Sequence, residues 1–63
     1  MYRTEWRNYI ERKVPVTVKF QSGMWAVTVN EDPEFWLDAF NDPAEAQQFC
    51  REQELPHAME GEL

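Results

Sequence analysis

His57 and Cys50 are the chain's one histidine and one cysteine, and they are the one pairing that could supply an activated nucleophile. That chemistry needs the imidazole to hold or remove the thiol proton. His57 follows Pro56 in a stretch that reads as a tail, where a base is poorly oriented. Cys50 falls on the apolar stripe of an amphipathic segment, where a cysteine behaves as a small hydrophobe. Carboxylate pairs occur at Glu31/Asp32, Asp42/Glu45 and Glu52/Glu54, yet none has the ligand spacing of a calcium loop, and Asp42 with Glu45 fits a helix cap. No Cys/His set has zinc-finger spacing. The only glycines are Gly23 and Gly61, so no glycine-rich loop could cradle a phosphate. The residues therefore point to a non-enzymatic binding or regulatory protein with no catalytic set, metal or cofactor.

The elements that would position any surface begin with the segment after Asn41. Asp42 suits an N-cap, Pro43 the first helical position, and Glu45 the capping-box position. Ala46, Phe49, Cys50 and Gln53 recur at three- and four-residue steps, so a helix starting at Pro43 carries a narrow apolar stripe. It ends near Gln53 or Glu54, where Leu55-Pro56 breaks it and lets Leu55 fold back on the core. Such a stripe needs a sheet to lie on. Val14 to Phe20 and Met24 to Val29 supply a hairpin closed by a two-residue Ser22-Gly23 turn or a four-residue loop from Gln21 to Met24, either of which sets Phe20 opposite Trp25, Val18 opposite Val27 and Val16 opposite Val29. That register gathers the large apolar residues on one face and leaves Thr17, Lys19, Ala26 and Thr28 on the other. Pro15 puts the first strand at an edge or leaves its first residue unpaired.

Residues 34–40 read as a third antiparallel strand, although Asp32-Pro33-Glu34 also looks like a helix start. Either Phe35, Leu37 and Ala39 face the core, or Trp36 and Phe40 do; a bulge near Asp38 would reconcile the two. At the N-terminus, Tyr2, Trp6, Tyr9, Ile10 and Lys13 fit a helical stripe, while Tyr2, Thr4, Trp6, Asn8 and Ile10 also alternate. A helical or irregular arm that stops by Lys13 is preferred, because Pro15 disfavours helix at Val14. The fold class is α+β: a three-stranded antiparallel meander, a C-terminal helix on one face, and an N-terminal arm. Residues 1–56 form one domain and residues 57–63 a flexible acidic tail.

Strand, Ser22-Gly23-Met24-Trp25-Ala26-Val27, a further strand ending in Phe40, and a helix opened by Asn41-Asp42-Pro43-Ala44-Glu45-Ala46 follow in an order that resembles small bacterial and phage domains of unknown function. The same order is similar to the arm-binding N-terminal domains of tyrosine recombinases, whose three-stranded sheet enters the DNA major groove. The first resemblance implies no activity. The second implies DNA binding, for which the basic strand residues reduce here to Lys19 and Lys13.

Composition bounds the partners. A 63-residue chain buries only about 60% of its unfolded surface, and with no disulfide or zinc site, pairing into a homodimer is one route to added stability. No apolar run is long enough to cross a membrane and the N-terminus lacks a secretory core, which places the chain in the cytoplasm by default. The net charge of −6 is divided: residues 1–30 carry Arg3, Arg7, Arg12, Lys13 and Lys19 against Glu5 and Glu11, while residues 31–63 carry ten carboxylates against Arg51 alone. The leading expectation is an unknown protein partner met through Trp6, Tyr9, Trp36, Asp38 and Lys19 or through the acidic half. Nucleic-acid binding by Thr17, Lys19 and Thr28 with the neighbouring arginines is the alternative, opposed by the carboxylates. A further alternative follows from the phage-type resemblance, in which the acidic half imitates phosphates and occupies a DNA-binding protein.

Overall fold

A computed structural model describes residues 2–60. Its elements run α1 (Tyr2–Arg12), β1 (Val16–Gln21), β2 (Met24–Val29), β3 (Asp32–Phe40), α2 (Pro43–Glu52) and β4 (His57–Glu60). They form an α+β fold in which one four-stranded sheet has the order β3-β2-β1-β4. The meander β1-β2-β3 is antiparallel, and β4 joins β1 in parallel.

The hairpin has the register set by its valines, with Phe20 opposite Trp25, Val18 opposite Val27 and Val16 opposite Val29. Ser22 and Gly23 close it with φ of 55° and 80°, the positive pair that a two-residue turn needs to match the twist of its strands. A side chain at position 23 would have open space around it; its cost would lie in the left-handed backbone alone. Val16, Val18, Val27 and Val29 are all buried on one face, together with Leu37, Ala46, Cys50 and Leu55. Because side chains alternate along a strand, Thr17, Lys19, Ala26 and Thr28 occupy the opposite face. Trp6, Tyr9 and Ile10 of α1 pack against the same valine cluster as α2, so both helices cover one side of the sheet.

The N-terminal arm is a helix. Trp6, Tyr9 and Ile10 are half-buried while Thr4, Glu5, Arg7, Asn8, Glu11 and Arg12 are exposed, so the helical period prevails over the alternating one. α1 ends with Lys13 in the left-handed region at φ 54°, its N–H donating to Ile10 O at 3.2 Å and that of Val14 to Tyr9 O at 3.3 Å. This is the double closure of a Schellman motif, usually built on glycine. α2 ends the same way. Glu54 sits at φ 59°, donates to Arg51 O at 3.1 Å, and Leu55 N–H donates to Cys50 O at 2.9 Å. Each motif is followed by an inward apolar residue, a proline and a strand: Val14-Pro15-Val16 and Leu55-Pro56-His57. The two units lie side by side, with Val16 paired to His57 and its N–H donating to Pro56 O at 2.9 Å. Lys13 Nζ reaches Gln53 O at 3.1 Å and Glu54 Oε1 at 3.8 Å, tying one helix end to the other.

The expectation for the C-terminus needs correction. The tail expected over residues 57–63 contains β4 at His57–Glu60, because β1 offers a free edge and Met59 has a place beside the core cluster; residues 61–63 lie outside the described part. Of the two readings of Pro15, the unpaired one holds: Pro15 stands just before β1 with its missing N–H outside the ladder, and β1 lies between β2 and β4 as an inner strand. The third strand is longer than 34–40 and has the irregularity expected near Asp38. A register shift between Val27 and Thr28 leaves Leu37 as an extra residue, and a second between Thr28 and Val29 leaves Pro33, Glu34 and Phe35. Leu37 is buried, and Phe35 and Phe40 also meet the core cluster, while Trp36 lies opposite Thr28 on the other face. Pro33 is tolerated because β3 is an edge strand.

Candidate interaction surface

Cys50, His57 and Asp42 each have a structural contact. Cys50 is fully buried on α2, and burial pushes its thiol up to about 11, away from the thiolate that a nucleophile requires. The Nδ1 atom of His57 lies 3.0 Å from Leu55 O. Asp42, with extended φ of −126°, caps α2 by accepting from Ala44 N–H at 2.9 Å. Among the described residues no group of three His, Cys, Asp or Glu side chains gathers around a common point. The capping-box expectation is half met: the backbone N–H of Glu45 donates to Asp42 O, but its carboxylate does not reach back to the cap. Among the described residues, no helix is long and apolar enough to cross a membrane.

The five surface residues expected from sequence fall in three separate places. Trp6 and Tyr9 lie in the seam between α1 and the sheet. Trp6 Nε1 donates to Leu37 O at 2.9 Å, which satisfies a carbonyl at the irregular part of β3. Tyr9 packs edge-on to Phe35 with centroids 5.1 Å apart, and its hydroxyl reaches Asp32 Oδ2 at 3.5 Å. Partial burial and then the nearby Asp32, Glu31 and Glu5 charges raise its pKa. Lys19 and Trp36 stand on the face away from the helices, opposite Ala26 and Thr28. Asp38 is exposed opposite Val27, its Oδ1 accepting from Ala39 N–H at 2.8 Å. These positions do not combine into one surface, because the helical period of α1 turns its aromatics inward and the strand period of the sheet separates the rest.

A different set of side chains is brought together at the hairpin end. Phe20 is 57% exposed and is the one large apolar residue so exposed among those described. Its ring lies 5.3 Å from that of Trp25 at 56°, Trp25 is paired with Phe40, and Phe40 lies 5.8 Å from Phe49 of α2 at 45°. The aromatic row thus crosses β1, β2 and β3 and continues onto the helix. It ends in a groove of about 370 Å³ lined by Phe40, Ala44, Glu45, Gln48, Phe49 and Glu52. The cause is the size of the residues under α2. Ala46 and Cys50 are small and fully buried, so the helix is covered underneath by valines and the aromatics are left around its flank. The sequence pattern sets Phe20 against Trp25 and Phe49 on the stripe, and the small residues Ala46 and Cys50 are the signal that the rings sit at the margin.

Compared with protein-family models, curated proteins and solved structures, the chain matches none. The two resemblances drawn from the Gly-Met-Trp hairpin and the capped helix therefore add no argument here. The surface has to be read from its own chemistry.

Proposed function

We propose that this chain is a non-enzymatic protein-interaction domain whose working surface is the aromatic row from Phe20 to Phe49 and the groove beside α2. The observation that carries this reading is the exposure of Phe20 at the head of a continuous row of rings. Singly exposed apolar residues are ordinary on any protein, whereas a contiguous apolar patch with a polar rim marks a contact site. Aromatic side chains also dominate the centres of protein interfaces. Phe20 is not needed to close the core, which the valines, Leu37, Ala46, Cys50 and Leu55 already form.

The arrangement of charge favours this reading over a nucleic-acid module. Arg12 is committed to Glu31 at 2.8 Å and Lys13 to the end of α2, while Lys19 on the outer sheet face is paired in register with the acidic Glu60. Binding to phosphate draws on clustered cations. The phosphate-mimic alternative has no geometric observation of its own. The test is affinity capture from nuclease-treated lysate of the source cell, with native protein and Phe20→Ser side by side. A protein recovered by the native chain and lost from Phe20→Ser supports the reading; equal recovery by both, or recovery only before nuclease treatment, contradicts it.

A further inference from the structure

We infer that the occupant of the α2 groove is a basic polypeptide segment bearing a large apolar anchor. The anchor sits on Phe40, Ala44 and Phe49, and its Lys or Arg neighbours meet Glu45 and Glu52. This rests on the interaction reading above and adds the partner's chemistry to it.

Shape is the first argument. The groove is open along α2 from Ala44 to Glu52, a rise of about 12 Å of helix. That length accepts about two helical turns or about four residues of extended chain. A floor of two rings and a methyl group rewards one apolar side chain. Charge is the second argument. Glu45 and Glu52 are seven positions apart, so they line one side of the helix with Gln48 between them. Glu52 Oε2 accepts from Gln48 Nε2 at 3.1 Å, whereas Glu45 is exposed and has no side-chain hydrogen bond or ion pair among the described residues, because Asp42 alone caps the helix. A purely apolar occupant would strip water from these carboxylates and give nothing back. An acidic one would be repelled, and the net charge of −6 would slow its approach as it would speed that of a basic segment. A second copy is disfavoured for the same reason. A twofold contact places the same patch on both sides, bringing Glu45 and Glu52 of one copy against those of the other.

The test uses fluorescence anisotropy with three labelled peptides that share one Leu-rich face and differ in flanking residues: Lys, Gln or Glu. Native protein, Glu45→Lys/Glu52→Lys and Ala44→Gln are compared, each first checked by circular dichroism for retained fold. The expected result is that native protein prefers the Lys peptide to the Gln peptide by about tenfold, with the preference shrinking as salt is raised. The double variant should prefer the Glu peptide, and Ala44→Gln, which fills the groove, should lose all of them. Equal binding of the Lys and Gln peptides, or no effect of the double variant, overturns the inference while leaving the interaction reading to the Phe20→Ser capture. Absence of binding by every peptide overturns it as well. So does a native dimer that Ala44→Gln converts to monomer, since the occupant would then be a second copy.

Discussion

Replacing Asp42 with Ala removes one hydrogen bond whose worth can be worked from its surroundings. Asp42 Oδ1 accepts from Ala44 N–H at 2.9 Å, and the Asp42 carbonyl independently accepts from Glu45 and Ala46 N–H at 3.1 and 3.2 Å. The substitution keeps the carbonyl bonds and frees only the Ala44 donor. Ala44 is exposed, so water takes over part of the lost bond, and the cost falls near about 1 kcal/mol within the usual range for an N-cap. The carboxylate also faces the positive end of the helix, a further few tenths of a kcal/mol. For a domain of this size about 1 kcal/mol lowers Tm by about 4–8 °C. Thermal unfolding followed by far-ultraviolet circular dichroism reads this directly, with Asp42→Asn and Glu45→Gln as controls. Asn keeps the accepting oxygen and should cost much less. Glu45→Gln should lose only its share of the dipole interaction. A Glu45→Gln cost equal to that of Asp42→Ala would count against Asp42 as the sole cap, since it would mean that the Glu45 carboxylate is part of it. An unchanged Tm for Asp42→Ala would refute the cap itself.

Three further outcomes follow from the same geometry. Trp6→Phe removes the Nε1 donor to Leu37 O while keeping a ring in the seam, and should cost about 0.5–1.5 kcal/mol in chemical denaturation, more if the smaller ring leaves a void. Glu54→Gly relieves a left-handed side chain at φ 59° at the expense of greater freedom in the unfolded chain and an exposed contact with Lys13; its denaturation midpoint should stay level or rise, never fall by several degrees. Cys50, held to about 11 by burial, should resist alkylation at neutral pH until the protein is unfolded. Its folded pKa is raised, so the associated stability is complete below the unfolded value near 9 and is lost as pH rises from there towards 11.

The parts of the fold legible in the sequence are those fixed by local pattern. Alternating valines set the hairpin register because a one-residue slip would turn them all to the wrong face, and Asp42-Pro43 marked the start of α2 through backbone chemistry confined to a few residues. What was hidden depends on partners distant in the chain. His57-Ala58-Met59-Glu60 carries almost no strand signal and is ordered by pairing with β1, about 40 residues away in sequence. Lys13 and Glu54 do the work commonly done by glycine, so neither helix end announced its closure, and the shared apolar-Pro-strand pattern after each was the available clue. Trp6 and Tyr9 suit a surface by residue type, but the helical period of α1 turns them into the seam with β3. Phe20 was correctly placed against Trp25, but its exposure depends on how far α2 extends over the sheet, which small residues at 46 and 50 determine.

The proposed working surface is the aromatic end, in place of the outer sheet face. Amide chemical-shift mapping of isotopically labelled protein, titrated with the protein that it captures, addresses this most directly. The expected perturbations are concentrated at Phe20, Trp25, Phe40 and residues 44–52, and absent from that region when Phe20→Ser is titrated. Perturbations concentrated instead at Thr17, Lys19, Thr28 and Trp36, with the α2 groove unmoved, would contradict it.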